Sequence, residues 1–316
     1  MWRLRWKKRP RRPDAARGAG RVLLGVLLFC ASGWAGEPGT SASAERVAVQ
    51  GWVKRAFDRQ AAAPSDARGY VARPEDNLVP GVRLEQFRED LEKGAGHELQ
   101  GKFRAVHSSS ALAVNTFAPF KDRPADLVLL GRRGFDSVVF EKQLPTGLHG
   151  TPPTLDVFLR RGDEAIAIES KFLEYFSPKE AKFSSSYRRS ALPWAEEAWW
   201  AVLEDARAAG RRNLDLAQLV KHYLGLRRLL EEGDESGWKP ARATLLYLYW
   251  EPANPGRLEA CIRHRAEIEQ LTARVAESRI DFRAMSYPDL WHQWAGDPSA
   301  AEHARNLLGR YEILLP

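Results

Sequence analysis

The sequence predicts an α/β protein with a mixed central sheet flanked by helices. Three observations carry this expectation. Residues 155–160 and 165–172 read as two strands, and the turn signal Arg161-Gly162-Asp163 between them makes an antiparallel hairpin. Two helical patterns follow, at 194–209 and 213–230. An almost wholly apolar run, ATLLYLYW at 243–250, comes next. A strand reached through a helical crossover pairs in parallel, so one sheet carries both kinds of pairing.

The chain has 316 residues and a formal net charge of +7. That charge is local. Residues 1–21 hold nine of the 48 basic residues and one acid, so the rest of the chain is close to neutral. A high isoelectric point is therefore no argument for nucleic-acid binding by the body, and any such surface must be a local patch. Two cysteines, Cys30 and Cys261, give no disulfide framework. Residues 1–45 divide off as an extension. A basic start, the apolar run at 22–36 and small residues near Gly33 and Ala35 fit a signal peptide, and fifteen apolar residues fall short of a membrane span. The same stretch also fits a wrongly assigned start upstream of the true one. The first reading implies export to the periplasm, the second a cytoplasmic protein.

Residues 46–82 read as a short helix, at 45–60, and a Pro/Asp/Ala-rich linker; the main domain occupies 83–316. Between 83 and 117 the pattern is helical. Leu84, Phe87 and Leu91, then Leu99, Phe103 and Val106, each make one apolar face, with Gly94-Ala95-Gly96 dividing two helices. A further turn starts near Ser108. Residues 135–143 (FDSVVFEKQ) read as a strand and 144–153 as a Gly- and Pro-broken loop ahead of the hairpin. After the hairpin, the loop at 173–193 mixes Lys179, Lys182, Arg188 and Arg189 with Tyr175, Phe176, Phe183 and Tyr187. Basic residues among aromatics suit a phosphate backbone and unstacked bases, although a plain solvated loop has the same composition. Asn213 is placed to cap the helix at 213–230, on which Gln218 and His222 share a face. A charged helix at 257–278, an edge strand at 280–285 and short helices at 288–294 and 300–308 complete the chain.

The chemistry gathers on the hairpin. Glu169 and Lys171 stand two apart, so both side chains leave one face of their strand, and pairing brings Asp156 beside Glu169. Two carboxylates can hold Mg²⁺, which takes oxygen ligands and keeps several waters, and a nearby lysine can orient a nucleophile. The plainer reading is a Glu–Lys pair across a sheet face. It fits poorly with Ile166, Ala167 and Ile168, which mark a buried strand. Other classes find no footing: no Cys/His cluster has zinc spacing, no Gly-x-Ser-x-Gly elbow occurs, and His97-Glu98 has no second histidine at zincin spacing.

Asp156 followed by Glu169-Ser170-Lys171 resembles the PD-(D/E)xK signature of restriction-endonuclease-like nucleases. Leu155 stands where the signature has proline. The strings Ala113-Val114-Asn115-Thr116-Phe117, Phe140-Glu141 with Pro145-Thr146-Gly147, Thr151 to Asp156, and Leu245 to Glu251 resemble a bacterial family described as restriction-endonuclease-like. The resemblance covers roughly residues 83–296. The resemblance implies a restriction-endonuclease-like core and a Mg²⁺-dependent deoxyribonuclease, with Mn²⁺ as an alternate ion. It implies metal binding by Asp156, Glu169, the Ser170 carbonyl and Glu98, and catalytic roles for Asp156, Glu169, Lys171 and Gln218; the composition of the 173–193 loop adds DNA contacts from Lys179, Lys182, Arg188 and Arg189. Gln218 matches the first position of the Gln-x-x-x-Tyr helix of the recombination-exonuclease branch, and His222 replaces its tyrosine. Glu141 is a secondary acid. DNA is the implied partner, a homodimer is left open, and no stable membrane span is expected. A non-catalytic nucleic-acid-binding or assembly module on the same fold is the alternative function, with an exported hydrolase of another class a weaker third.

Overall fold

The strands form where β-branched and aromatic residues run together, and the helices where apolar residues recur at helical spacing. A computed structural model of the chain describes residues 38–93 and 98–316. The leader-like stretch up to residue 37 and the Gly94-Ala95-Gly96 break, with His97, lie outside the described residues. In chain order the elements are α1 (Pro38–Asp58), α2 (Arg88–Lys93), α3 (Ser109–Phe117), β1 (Ser137–Gln143), β2 (Thr154–Arg161), β3 (Glu164–Lys171), α4 (Glu197–Ala208), α5 (Leu216–Glu232), β4 (Arg242–Tyr249), α6 (Glu259–Arg274), β5 (Ile280–Ser286), α7 (Tyr287–Ala295) and α8 (Ala301–Tyr311).

The five strands lie in the order β1-β2-β3-β4-β5. The first two pairings are antiparallel, and β3–β4 and β4–β5 are parallel. This is the mixed sheet that the sequence predicts. Gly162, at φ 54°, makes the left-handed turn of the hairpin. Every residue of β3 is buried, as befits the central strand. One face of the sheet, with Val157, Leu159, Ile166, Ile168, Leu246 and Leu248, packs under α1, α3, α7 and α8. The other, with Ala165, Ala167, Leu245 and Tyr247, packs under α4, α5 and α6. No described helix is long and apolar enough to cross a membrane.

Several local expectations differ from what forms. Helix α1 starts at Pro38, inside the stretch set aside as an extension, and buries Val49, Val53 and Ala56 in the main core. The helical reading of 83–117 resolves into short 3₁₀ turns, the six-residue α2 and then α3. Its apolar spacing is real, since Leu84, Phe87, Leu91, Leu99, Phe103 and Val106 are all buried. Six residues are too few for a stable isolated helix, and packing decides the local form. Helix α5 is capped by Asp215, whose side chain accepts from the Gln218 amide. Asn213 instead donates to the Tyr175 carbonyl at 2.7 Å.

Candidate active site

The two sheet faces sort the hairpin residues by parity. Glu169 and Lys171 point to the α5 side, and Ser170 to the α3 side, where its hydroxyl reaches the Ser109 carbonyl and the Tyr287 hydroxyl. The β2–β3 register extends from Val157↔Ile168 to place Asp156 opposite Glu169. The β1–β2 ladder pairs Phe140 with Val157 and Lys142 with Leu155, and passes over Glu141 opposite Asp156. Glu141 sits at φ 51°, a conformation uncommon for a residue with a side chain. The strands therefore part at Asp156, and the Asp156 carboxylate accepts the Ser170 amide at 2.7 Å.

Glu169 is fully buried. One of its oxygens accepts from the Lys171 ammonium. The other is 2.7 Å from His222 Nε2. A carboxylate only accepts, so His222 donates through Nε2; its Nδ1 is buried and has no partner among the described residues. Lys171 also donates to Gln218 Oε1 at 2.7 Å. Gln218 and His222, one turn apart on α5, thus reach the two members of the Glu169–Lys171 pair.

The charges are unevenly settled. Burial alone would raise the Glu169 carboxyl, but Lys171 and His222 outweigh it and hold it down to about 2. Burial likewise works against the Lys171 ammonium, and Glu169, Asp156 and Glu174 keep it above its usual range. Asp156 is the reverse. Burial and then Glu169 push its carboxyl well above the carboxylate range, with Glu141 adding to the push against Lys171 and the Ser170 amide. Burial lifts Glu141 to about 7, helped by Glu98 and Glu169. Negative charge is in excess on the Asp156 side.

That excess is what a hard cation offsets. Mg²⁺ needs only one or two protein carboxylates beside its waters, and Asp156 with Glu169 supply two oxygen-donor groups. The donor set fits such an ion once Lys171 or His222 yields an oxygen of Glu169. Among the described residues, no group of three or more His, Cys, Asp or Glu side chains is placed to hold a metal ion.

The structure brings Asp156, Glu169, Ser170, Lys171 and Gln218 together. Glu98 lies in a turn between α2 and the next 3₁₀ segment, where the sequence predicts a helix. Its carboxyl, raised by burial, is close enough to Glu141 to raise it in turn. Beside the centre is a cavity of about 690 Å³ lined by Gln218, His222, Lys179, Lys182, Arg211 and Lys221, with Glu180 and Asp215 among the acids. Its wall holds because Lys179 and Arg212 exchange backbone hydrogen bonds of 2.8 and 2.9 Å, tying the loop to the segment before α5. Arg188 and Arg189 do not line it. Arg189 is bound to Glu197 and Glu204 and lies over the Trp200 ring. Sequence reasoning missed Arg211 and Lys221. The signal for Lys221 was its place beside His222 on the helix that carries Gln218.

A family model described as restriction endonuclease associating with ARP matches residues 50–312. No curated protein and no solved structure matches the chain.

Proposed function

The chain belongs to the family of restriction endonucleases associating with ARP, and from that premise we propose that it is a Mg²⁺-dependent nuclease that hydrolyses DNA phosphodiester bonds. The observation that carries the reading is the convergence of Asp156, Glu169 and Lys171 on one sheet face, closed by Gln218 and His222. Asp156, Glu169 and the Ser170 carbonyl would hold the ion, with Glu141 and Glu98 in the surrounding field. Bound there, Mg²⁺ would act as a Lewis acid and lower the pKa of a coordinated water.

The chain's own residues do the rest. Lys171, steered by Gln218 Oε1, places a positive donor beside the Glu169 carboxylate, where it can orient the attacking water and offset developing charge on the phosphate. His222 fixes the Glu169 carboxylate from the far side. Lys182, Arg211 and Lys221 give the adjoining cavity the cations that phosphate oxygens require. Lys179 is shared with Asp215 at 3.7 Å.

The test is cleavage of plasmid and linear DNA with Mg²⁺ or Mn²⁺, comparing the full chain with Asp156→Ala and Lys171→Ala. Loss of cleavage in both variants supports the reading, and equal activity in all three sinks it. One observation favours a second reading, a nucleic-acid-binding module without catalysis: both oxygens of Glu169 are engaged by side chains. Retention of DNA with no cleavage under any divalent ion would select it.

A further inference from the structure

Arginine keeps its charge, so a guanidinium drawn out of water needs acceptors and a counter-charge. Arg310 is half-buried and has no carboxylate partner among the described residues. It lies in the last turn of α8, packed over the Phe57 ring of α1 at 4.3 Å and beside Tyr311 at 5.1 Å. Its hydrogen-bond partner among the described residues is the Asn77 side-chain oxygen, an uncharged acceptor. Burial lowers its pKa, and the Tyr311 hydroxyl is the group that opposes this; no carboxylate contributes. The helix C-terminus favours a cation only weakly in exposed settings, which does not replace a lost counter-ion.

Arg310 lines a cavity of about 620 Å³. That volume is within the roughly 300–1,000 Å³ typical of small-molecule sites. Arg305 lines it too, exposed and without an ion pair or hydrogen bond among the described residues. Of the two acids in the wall, Asp76 is already bound by Arg73 through both oxygens. Glu75 remains, against two arginines. The rest of the wall is largely apolar, with Leu78, Val79, Pro80 and Val82. None of the lining residues belongs to the cavity beside Gln218 and His222.

We propose that this cavity is a second binding site, for a small organic anion that carries one oxyanion group on an apolar body. Arg310 and Arg305 hold the oxyanion, and the Leu78–Val82 wall covers the body. The shared chemistry admits a phosphomonoester or a carboxylate. The site stands apart from the nuclease reading, since it uses none of its residues.

The experiment is calorimetric titration of the full chain with hexyl monophosphate, hexanoate and hexylamine, the last matching the two anions in body and opposing them in charge. One or both anions should bind with unit stoichiometry, weaken as salt rises, and leave hexylamine unbound. Binding of the monophosphate alone assigns a phosphate ligand, and of hexanoate alone a carboxylate ligand. Arg305→Ala, at an exposed position, should weaken the bound anion about tenfold. Arg310→Gln, which can still donate to Asn77, should abolish it. Binding that Arg305→Ala leaves unchanged belongs elsewhere on the molecule and overturns the proposal, even if Arg310→Gln fails to fold. So does no saturation by either anion up to on the order of 10 mM, or equal binding of hexylamine.

Discussion

Lys171 and His222 hold the Glu169 carboxylate from opposite sides, one on each oxygen. The acid is fully buried, so its charge is tolerated only because both partners are present. Truncating one partner of a buried pair leaves an uncompensated charge, which costs about 3–5 kcal/mol, whereas replacing the whole pair with neutral groups is often close to neutral. Lys171→Met should therefore destabilise the fold by about that amount in urea unfolding, and adding Glu169→Gln should restore most of it. If the double variant is as unstable as Lys171→Met, the pair is not the source of the loss.

Asp156 should separate stability from activity. Its carboxyl is pushed upward by burial and by the Glu169 charge opposite it, so the charged form is a strain on the fold. Asp156→Asn removes that repulsion and keeps an acceptor for the Ser170 amide. The expected outcome is a melting temperature equal to or above that of the parent, with DNA cleavage reduced by more than about 10²-fold, as the proposed metal-binding role of Asp156 requires. A variant that melts lower and still cuts would contradict both halves.

Helix α5 carries Gln218 and His222, and Gly225 sets its distance from the loop after β1. A Cβ at 225 would lie 2.8 Å from Leu144 Cβ and 2.9 Å from the Leu144 carbonyl oxygen. Neither atom is the end of a flexible chain, so the helix or the loop must move. Gly225→Ala should cost about 1–3 kcal/mol by overpacking and lower cleavage further by displacing Gln218 and His222. Leu144→Ala should not rescue it, because the backbone oxygen and Cβ both remain. Chemical denaturation and cleavage assays on the single and double variants check this.

The sheet was legible because its signals are local. A Gly-centred turn joins two apolar runs, and an apolar run follows two helical patterns, so pairing and direction follow from the chain order. Asp156, Glu169 and Lys171 were legible for the same reason, since strand alternation and hairpin register place them without tertiary knowledge. Arg189 shows where this stops. Its loop composition suggests a phosphate contact, yet Glu197 and Glu204 on α4 claim it. Charges on a surface loop take their partners from whatever helix packs nearby, and sequence spacing does not encode that. Helix α1 was missed in part for a related reason. Its amphipathic pattern is weak, and its place is fixed by packing of Val49, Val53 and Ala56 into a core assembled from distant segments.

His264 makes the fold acid-sensitive in a defined window. It is buried against the Tyr175 ring, 4.1 Å between centroids, and shares a hydrogen bond of 2.9 Å with the Tyr247 hydroxyl. Burial and then Arg265 depress its pKa to about 3. Between about 3 and the ordinary value near 6.5, the unfolded chain binds a proton there and the folded chain does not, so stability falls as pH falls through that window. The slope from this one group approaches about 1.4 kcal/mol per pH unit. Above pH 6.5 it contributes none. His264→Gln, which can still hydrogen-bond to Tyr247, should be less stable than the parent near pH 8, where the stacked ring is lost at no electrostatic gain. The difference should narrow toward pH 4. Urea unfolding of both proteins across that range measures it, and two parallel stability curves would show that His264 does not take up its proton on unfolding.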